Sequence, residues 1–464
     1  MIKETTVLCQ KIRQHLNETA ATFYPAFGTH GCVSYIWRAE GVAPYTKFSF
    51  PAQEQSPAGG CVPIYGLNCR RKQNIMLDMH NESSEKQAYV YLDNAATTLP
   101  DSAVVDVIGH ILRESFANSS SLYREGLRSH ETLRLARQTV AGALGCADDE
   151  VCFTATGTEA NNLAVLGCAR ARSNFGSEVV VSGYEHSGVF DAVMSLADEG
   201  FRIKTVNPGA DGNIDGNSVL SLVNKKTALV AVMQVNNETG ALSDVASLSL
   251  EVKKINPRCA FHCDMVQGFL KHPVSLSKTG IDTASVSAHK IHGPKGVGAL
   301  YLKRGLNIRP VFFGSAPWRG IRGGTENVAY AAAFAKAVEV FDAKKGFRDV
   351  TALNRLLRGM LSDIDGVVIN SPKDASPYIL NFSFLGYRSE TLLHYLDDNG
   401  VMVSSGSACS KGAASRALQS MGLSKDRVDS AVRVSFSKNS SEADVTRLIS
   451  LLSRVKESLI SSKR

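Results

Sequence analysis

The chain has 464 residues, 44% of them hydrophobic and 20% charged, with a formal net charge of +7. That length exceeds what one hydrophobic core organises and predicts two or three domains. The positive excess is small and scattered, which does not mark a nucleic-acid surface, and no run approaches the ~18 apolar residues of a membrane span.

Residues 1–88 are polar and loop-rich. The opening "MIKETTVLCQKIRQHL" carries acids early and has no apolar run, so it reads as neither a secretory signal nor a transit peptide. A cytoplasmic location is predicted, where the ten cysteines stay reduced. Cys9, Cys32, Cys61 and Cys69 all fall in this segment. They lack any C-x2-C pair, so no metal site is predicted there. The segment is an N-terminal extension without an assigned role. Met76 and Met79 lie shortly before "YVYLDNAATTLP", and a chain begun at either would start just ahead of that strand.

From 89 to 340, short apolar runs alternate with amphipathic stretches. Strands are predicted at 150–155, 178–183, 228–235, 259–266, 282–288 and 296–304. Helices are predicted at 159–172, at 189–200 with a glycine stop, and at 329–341. Buried, nearly continuous apolar strands in β-α alternation argue for a mostly parallel sheet covered by helices. Residues 341–464 form a smaller α+β domain: a charged helix, the alternating strands "YILNFSF" and "AVRVSFS", and a closing amphipathic helix.

Ligands of parallel α/β sheets bind beyond the carboxyl ends of the strands. There Gly157 and Thr158 open a helix, a geometry suited to an anion or simply to a cap. His186 follows the next strand in "YEHSG", where a lone histidine is usually just solvated. "NNETG" (236–240) reads as turn chemistry. Asp264 ends a buried strand and must be capped, solvated or paired with a cation. Cys259 and Cys263 read as small core residues. Lys290, between His289 and Ile291 in a glycine-hinged turn, sits where an amine pKa can fall and an imine can form. A phosphate anchor, a carboxylate, a histidine and a lysine on successive strand ends suit pyridoxal 5'-phosphate.

The motifs "YLDNAATT", "FTATGTEANN", "YEHSGV", "VNNETG", "FHCDMVQ", "SAHKIHGPKGVGALY", "RGGTENV" and "SSGSACS" occur in this order from Tyr89 onward. In them the sequence resembles the cysteine desulfurases of the aminotransferase class V superfamily, on the NifS/IscS-like side. The resemblance implies a fold type I architecture, with a seven-stranded, mostly parallel sheet and a smaller C-terminal domain. It implies that Lys290 binds the cofactor's aldehyde, His186 stacks on the ring and moves protons, Asp264 pairs with the ring nitrogen, and Gln267 bonds the phenolic oxygen. Gly157, Thr158, Ser287 and His289 would hold the phosphate. Thr325 would reach the phosphate of a partner subunit, which makes a homodimer. Asn237 and Arg433 would bind the carboxylate of L-cysteine, and Cys409 would take its sulfur as a persulfide for an acceptor protein. Met265 and Val266 replace the family's usual alanine–threonine and are expected to alter packing under the ring. A selenocysteine lyase or another class V enzyme is the alternative activity; an inactive scaffold is the alternative of a different class.

Overall fold

The computed structural model describes residues 89–314, 318–405 and 414–461, and the backbone of three strands nearer the N-terminus. The chain divides into two units, Met1–Ser84 and Glu85–Arg464. In the first, β1 (Thr22–Phe27), β2 (Val33–Arg38) and β3 (Thr46–Ser49) form an antiparallel sheet in that order, where the sequence reads as loop-rich. Cys9, Cys32, Cys61 and Cys69 lie outside the described residues.

The second unit begins with β4 (Val90–Tyr91), α1 (Ser102–Glu114) and α2 (Arg124–Leu144). Its main sheet comprises β5 (Val151–Thr154), β6 (Glu178–Ser182), β7 (Arg202–Val206), β8 (Thr227–Ala231), β9 (Ala260–Asp264), β10 (Thr283–Ser287) and β11 (Gly298–Leu302). Their order is β5-β11-β10-β9-β8-β6-β7. Only β11 runs against its neighbours, pairing antiparallel with both β10 and β5. The sequence supplies six of these strands directly. The seventh, β7, is an edge strand in which only Val206 is buried, so it lacks the continuous apolar run that marks the others.

Successive strand residues alternate between the two faces. Val180, Val230, Phe261 and Val286 enter one apolar core, whereas Val179, Val181, Leu229 and Leu300 enter another. Both faces are therefore covered. The helices are α3 (Gly157–Ala171), α4 (Ser187–Ser195), α5 (Gly216–Leu222), α6 (Val245–Ile255), α7 (Val328–Val340) and α8 (Ala343–Ser362). Ten of the fifteen residues of α3 are buried, so this helix is held along its length and its N-terminus is fixed. After α4 the chain tightens into a 3-10 turn, Leu196–Glu199, and stops at Gly200, whose φ of 87° is the left-handed conformation that glycine adopts without strain.

A third core gathers α8, β12 (Val367–Ile369), β13 (Ile379–Phe384), α9 (Ser389–Asp398), β14 (Val401–Met402), β15 (Ala431–Ser435) and α12 (Glu442–Ser453), while α10 (Arg416–Ser420) and α11 (Lys425–Asp429) meet in a small cluster of their own. β12, β13 and β15 form an antiparallel sheet. β4 pairs in parallel with β14, and Leu92 and Ala95 enter the same apolar core as β13 and β15. The start of the unit thus returns to its end, carrying Ala95 and Ala96 beside the carboxyl ends of the main-sheet strands. Among the described residues no helix is long and apolar enough to cross a membrane.

Candidate active site

A cavity of about 350 Å³ opens at the carboxyl ends of the parallel strands. That volume falls within the ~300–1,000 Å³ of small-molecule sites. Gly157 and Thr158 enter it at the start of α3, His186 from the end of β6, and Asn237 from beyond β8. Asp264 ends β9 and Gln267 follows it, Ser287 ends β10 with His289 and Lys290 after it, and Arg433 reaches in from β15. Thr325 is exposed and is not part of this cavity. Cys409 lies outside the described residues.

The N-terminus of α3 is a prepared anion site. Thr156 caps it by accepting from the Glu159 N–H at 3.0 Å, and the backbone at Gly157 and Thr158 faces the cavity. A Cβ on Gly157 would come within 2.8 Å of Val266 Cγ2, so glycine is what lets the helix start this close to the floor. Val266 lines the cavity, as expected. Met265 does not: it is buried in the apolar core on the other side of the chain, because neighbouring residues leaving β9 point opposite ways.

Asp264 is 4% exposed. Its Oδ2 accepts from Asn161 Nδ2 at 2.8 Å and its Oδ1 from the Val266 N–H at 2.9 Å. Behind it runs a chain that sequence reasoning missed. Asn161 Oδ1 lies 3.0 Å from His262 Nε2, and Ser285 Oγ also donates to it. His262 Nδ1 lies 3.0 Å from Thr283 Oγ1. Burial pushes the His262 imidazole down to about 4, so the ring is neutral. With Asn161 Oδ1 accepting, the His262 proton sits on Nε2 and every donor of the chain points toward Asp264. The sequence placed "EANN" at the start of a helix and "AFHC" on a strand without signalling that the two meet.

Lys290 Nζ donates to the carbonyls of Ala95 and Ala96 at 2.5 and 2.7 Å. Gln267 Nε2 donates to the same Ala95 carbonyl, and its Oε1 is buried with no hydrogen-bond partner among the described residues. His186 Nδ1 accepts the Gly188 N–H at 3.0 Å, which places the proton of the neutral ring on Nε2. Burial first, and then Lys290, push the His289 ring down to about 3, so it remains neutral at working pH. Arg433, 3% exposed, donates to Asp93 Oδ1 at 2.7 Å and to the Asn237 carbonyl at 2.8 Å, and its Nε has no partner among the described residues.

A second carboxyl next to His186 was also missed. Glu185 is 2% exposed; its Oε1 accepts from Ser182 Oγ and from the Met233 N–H, and its Oε2 has no partner among the described residues. Burial, with Asp264 adding to it, pushes this carboxyl up to about 8. A neutral Glu185 leaves Asp264 as the anion facing the ring position. The ordinary carboxyl value is 4.5, so between about 4.5 and 8 the folded state holds a proton that the unfolded state has lost. Its contribution to stability therefore falls as pH rises through that window. Glu185→Gln is expected to melt near the wild-type temperature at about pH 5 and increasingly above it towards pH 9, as followed by thermal denaturation.

These groups fit pyridoxal phosphate: an anion-binding helix end, a buried carboxylate that needs a cation, a lysine amine, and a glutamine amide in the cavity lining.

The aminotransferase class-V family matches residues 90–448. A protein of Dictyoglomus turgidum named cysteine desulfurase IscS is 34% identical over 376 residues, covering 80% of this chain and 95% of that protein. A protein of Bradyrhizobium diazoefficiens named cysteine desulfurase is 35% identical over 387 residues, 82% and 98% of the two chains. A solved structure titled NifS-like protein superposes with a TM-score of 0.76 at 31% identity, covering 80% of this chain and all of that one. The chain belongs to the aminotransferase class-V family, among its pyridoxal-phosphate-dependent cysteine desulfurases of NifS/IscS type.

Proposed function

We propose that this protein removes the sulfur of L-cysteine, releases L-alanine and carries the sulfur as a persulfide on Cys409. In this reading it works as a cytoplasmic homodimer and passes the sulfur to an acceptor protein for iron–sulfur cluster assembly or for thiolation of a cofactor or tRNA. Residues 89–340 are the cofactor-binding domain and 341–464 the smaller one. The observation that carries the reading is the convergence of Lys290, Asp264, His186 and Arg433 on one cavity.

Bound there, pyridoxal phosphate supplies the electron sink that makes the α-proton of an amino acid removable. The chain's own residues do the rest. With the cofactor bound, Lys290 would hold its aldehyde, and the lysine amine once released would move a proton. Asp264 would keep a proton on the ring nitrogen. His186 would offer its Nε2–H to the ring, and the neutral His289, Ser287 and the start of α3 would hold the phosphate. Arg433 exchanges Asp93 for the substrate carboxylate. The Cys409 thiolate then forms an S–S bond to the substrate sulfur as the Cβ–S bond breaks, and protonation of that carbon gives alanine.

Arg433→Lys removes the planar fork and is expected to raise KM for L-cysteine roughly 10–100-fold, from charge-assisted bonds worth about 1.5–3 kcal/mol, with a smaller change in kcat. Steady-state kinetics measure both. The activity itself is tested by incubating holoprotein with L-cysteine and a thiol reductant. Alanine and sulfide are expected in equal amounts with no 2-oxo acid present. Turnover only with an oxo acid, or with selenocysteine alone, would replace this reading by one of the alternatives.

A further inference from the structure

A second cavity, of about 280 Å³, lies on the other side of Lys290, which lines both. It opens where α7 gives way to α8, and Lys271, His292 and Tyr378 form part of its wall. Lys271 is only 7% exposed. Lysine is almost never this buried unless it is paired. Yet among the described residues its ammonium has no hydrogen-bond or ion-pair partner; it sits over the Tyr378 ring, 5.0 Å from the centroid. Tyr378 is 3% exposed, and its hydroxyl also lacks a partner.

The acids of this cavity are already engaged. Asp349 pairs with Lys345 and Arg348, and Asp342 caps α8 by accepting the Lys345 N–H. Lys438 is held by Asp101. The titratable groups on which Lys271 acts are His272, His289 and His292, all kept neutral and none of them a counter-charge. His272 is bonded to Ser376 Oγ and His292 to the Leu99 carbonyl, so neither turns towards Lys271 as an acceptor. Burial alone brings the Lys271 amine down to about 8, which leaves it mostly charged at neutral pH.

We infer that this cavity is a binding site for a small anion, a carboxylate or an inorganic oxyanion, with Lys271 as its counter-charge. Its volume lies just below the usual range of ligand sites and admits only a small molecule. Because Lys290 and the field on His289 are common to both cavities, an anion here acts on the cofactor lysine from behind.

The test uses holoenzyme, so that the cofactor's own phosphate site is filled, in a low-salt zwitterionic buffer. Sodium acetate and sodium phosphate are titrated separately, with binding read by calorimetry and by the melting temperature. Saturable binding of either probe is expected in the wild type, and which of the two saturates identifies the carboxylate or the oxyanion as the ligand class. Lys271→Met is expected to melt above wild type without anion, because it removes an uncompensated buried charge, and to bind at least about tenfold more weakly. A second measurement needs no variant: wild-type affinity falls about tenfold per pH unit above 8 as Lys271 loses its proton, whereas an anion held by Arg433 would show no such loss. No saturable binding, binding unchanged in Lys271→Met, or affinity flat from pH 7 to 10 would each overturn the inference.

Discussion

Cys409→Ser is expected to leave pyridoxal phosphate and L-cysteine bound while alanine release falls to background. Among the described residues, no cysteine offers a reactive thiol. Cys152, Cys168, Cys259 and Cys263 are buried, and burial pushes the first three up to about 12 and Cys263 well above its ordinary value. Cys146 is half-buried and also near 12, with Glu150, Asp149 and Asp148 adding to the effect of burial. None of these presents a thiolate at neutral pH, and the thiolate is the attacking form. The described residues on either side of Cys409 are bonded to residues that line the active cavity or lie next to one that does. Ser404 exchanges backbone hydrogen bonds with Arg433 on one side. On the other, Ser415 Oγ donates to Glu238 at 2.5 Å, and Arg416 donates to the Glu185 carbonyl. Cys409 lies five residues past Ser404 and six before Ser415. In the proposed reading its thiol serves the cavity and is then offered to a second protein. The measurement is alanine by chromatography alongside the visible spectrum of the bound cofactor. Alanine release at the wild-type rate would mean that another group accepts the sulfur.

The sequence made the strand ends visible because the strands of a doubly covered sheet are continuous apolar runs, and the polar residues that follow each run are the site. Gly157, His186, Asp264 and Lys290 could be picked out this way before any fold was known. Their common cavity could not, since it depends on strand order β5-β11-β10-β9-β8-β6-β7, which no local pattern encodes. The residues missed are those whose meaning is a contact. Asn161 and His262 read as an unremarkable helix amide and a strand histidine until the packing of α3 on the sheet brings them 3.0 Å apart behind Asp264. Glu185 and Lys271 look like surface charges by type, and only burial shows otherwise. Met265 was misassigned for the opposite reason: the motif located it correctly along the chain, but the alternation at the end of β9 sends it into the core.

Asp264→Asn is expected to lower kcat by roughly 10²–10⁴-fold while Lys290 still holds the cofactor. The substitution is isosteric, so packing is preserved and the change is one of charge and donor direction. In the native site both oxygens accept, from Asn161 Nδ2 and from the Val266 N–H. An asparagine must turn its amide nitrogen toward one of those two donors or toward the ring position. The first choice sets donor against donor; the second offers the ring nitrogen a donor where it needs an anion. His262 cannot relieve the conflict, because its neutral ring is locked with Nε2–H directed at Asn161. Glu185 is a poor replacement for the lost charge, because burial, the larger cause of its upward shift, remains in the variant although the Asp264 contribution is gone. Breaking a buried charge pair costs about 3–5 kcal/mol, and about 1.4 kcal/mol is a factor of ten in rate, which gives the range stated. The diagnostic readout is exchange of the substrate α-proton with deuterated solvent, which reports proton removal without waiting for sulfur transfer. Exchange and alanine release should fall together, with KM for L-cysteine within a few-fold of wild type because Arg433 is untouched. If exchange persists at the wild-type rate, Asp264 does not hold the ring proton and the buried chain behind it serves only the fold.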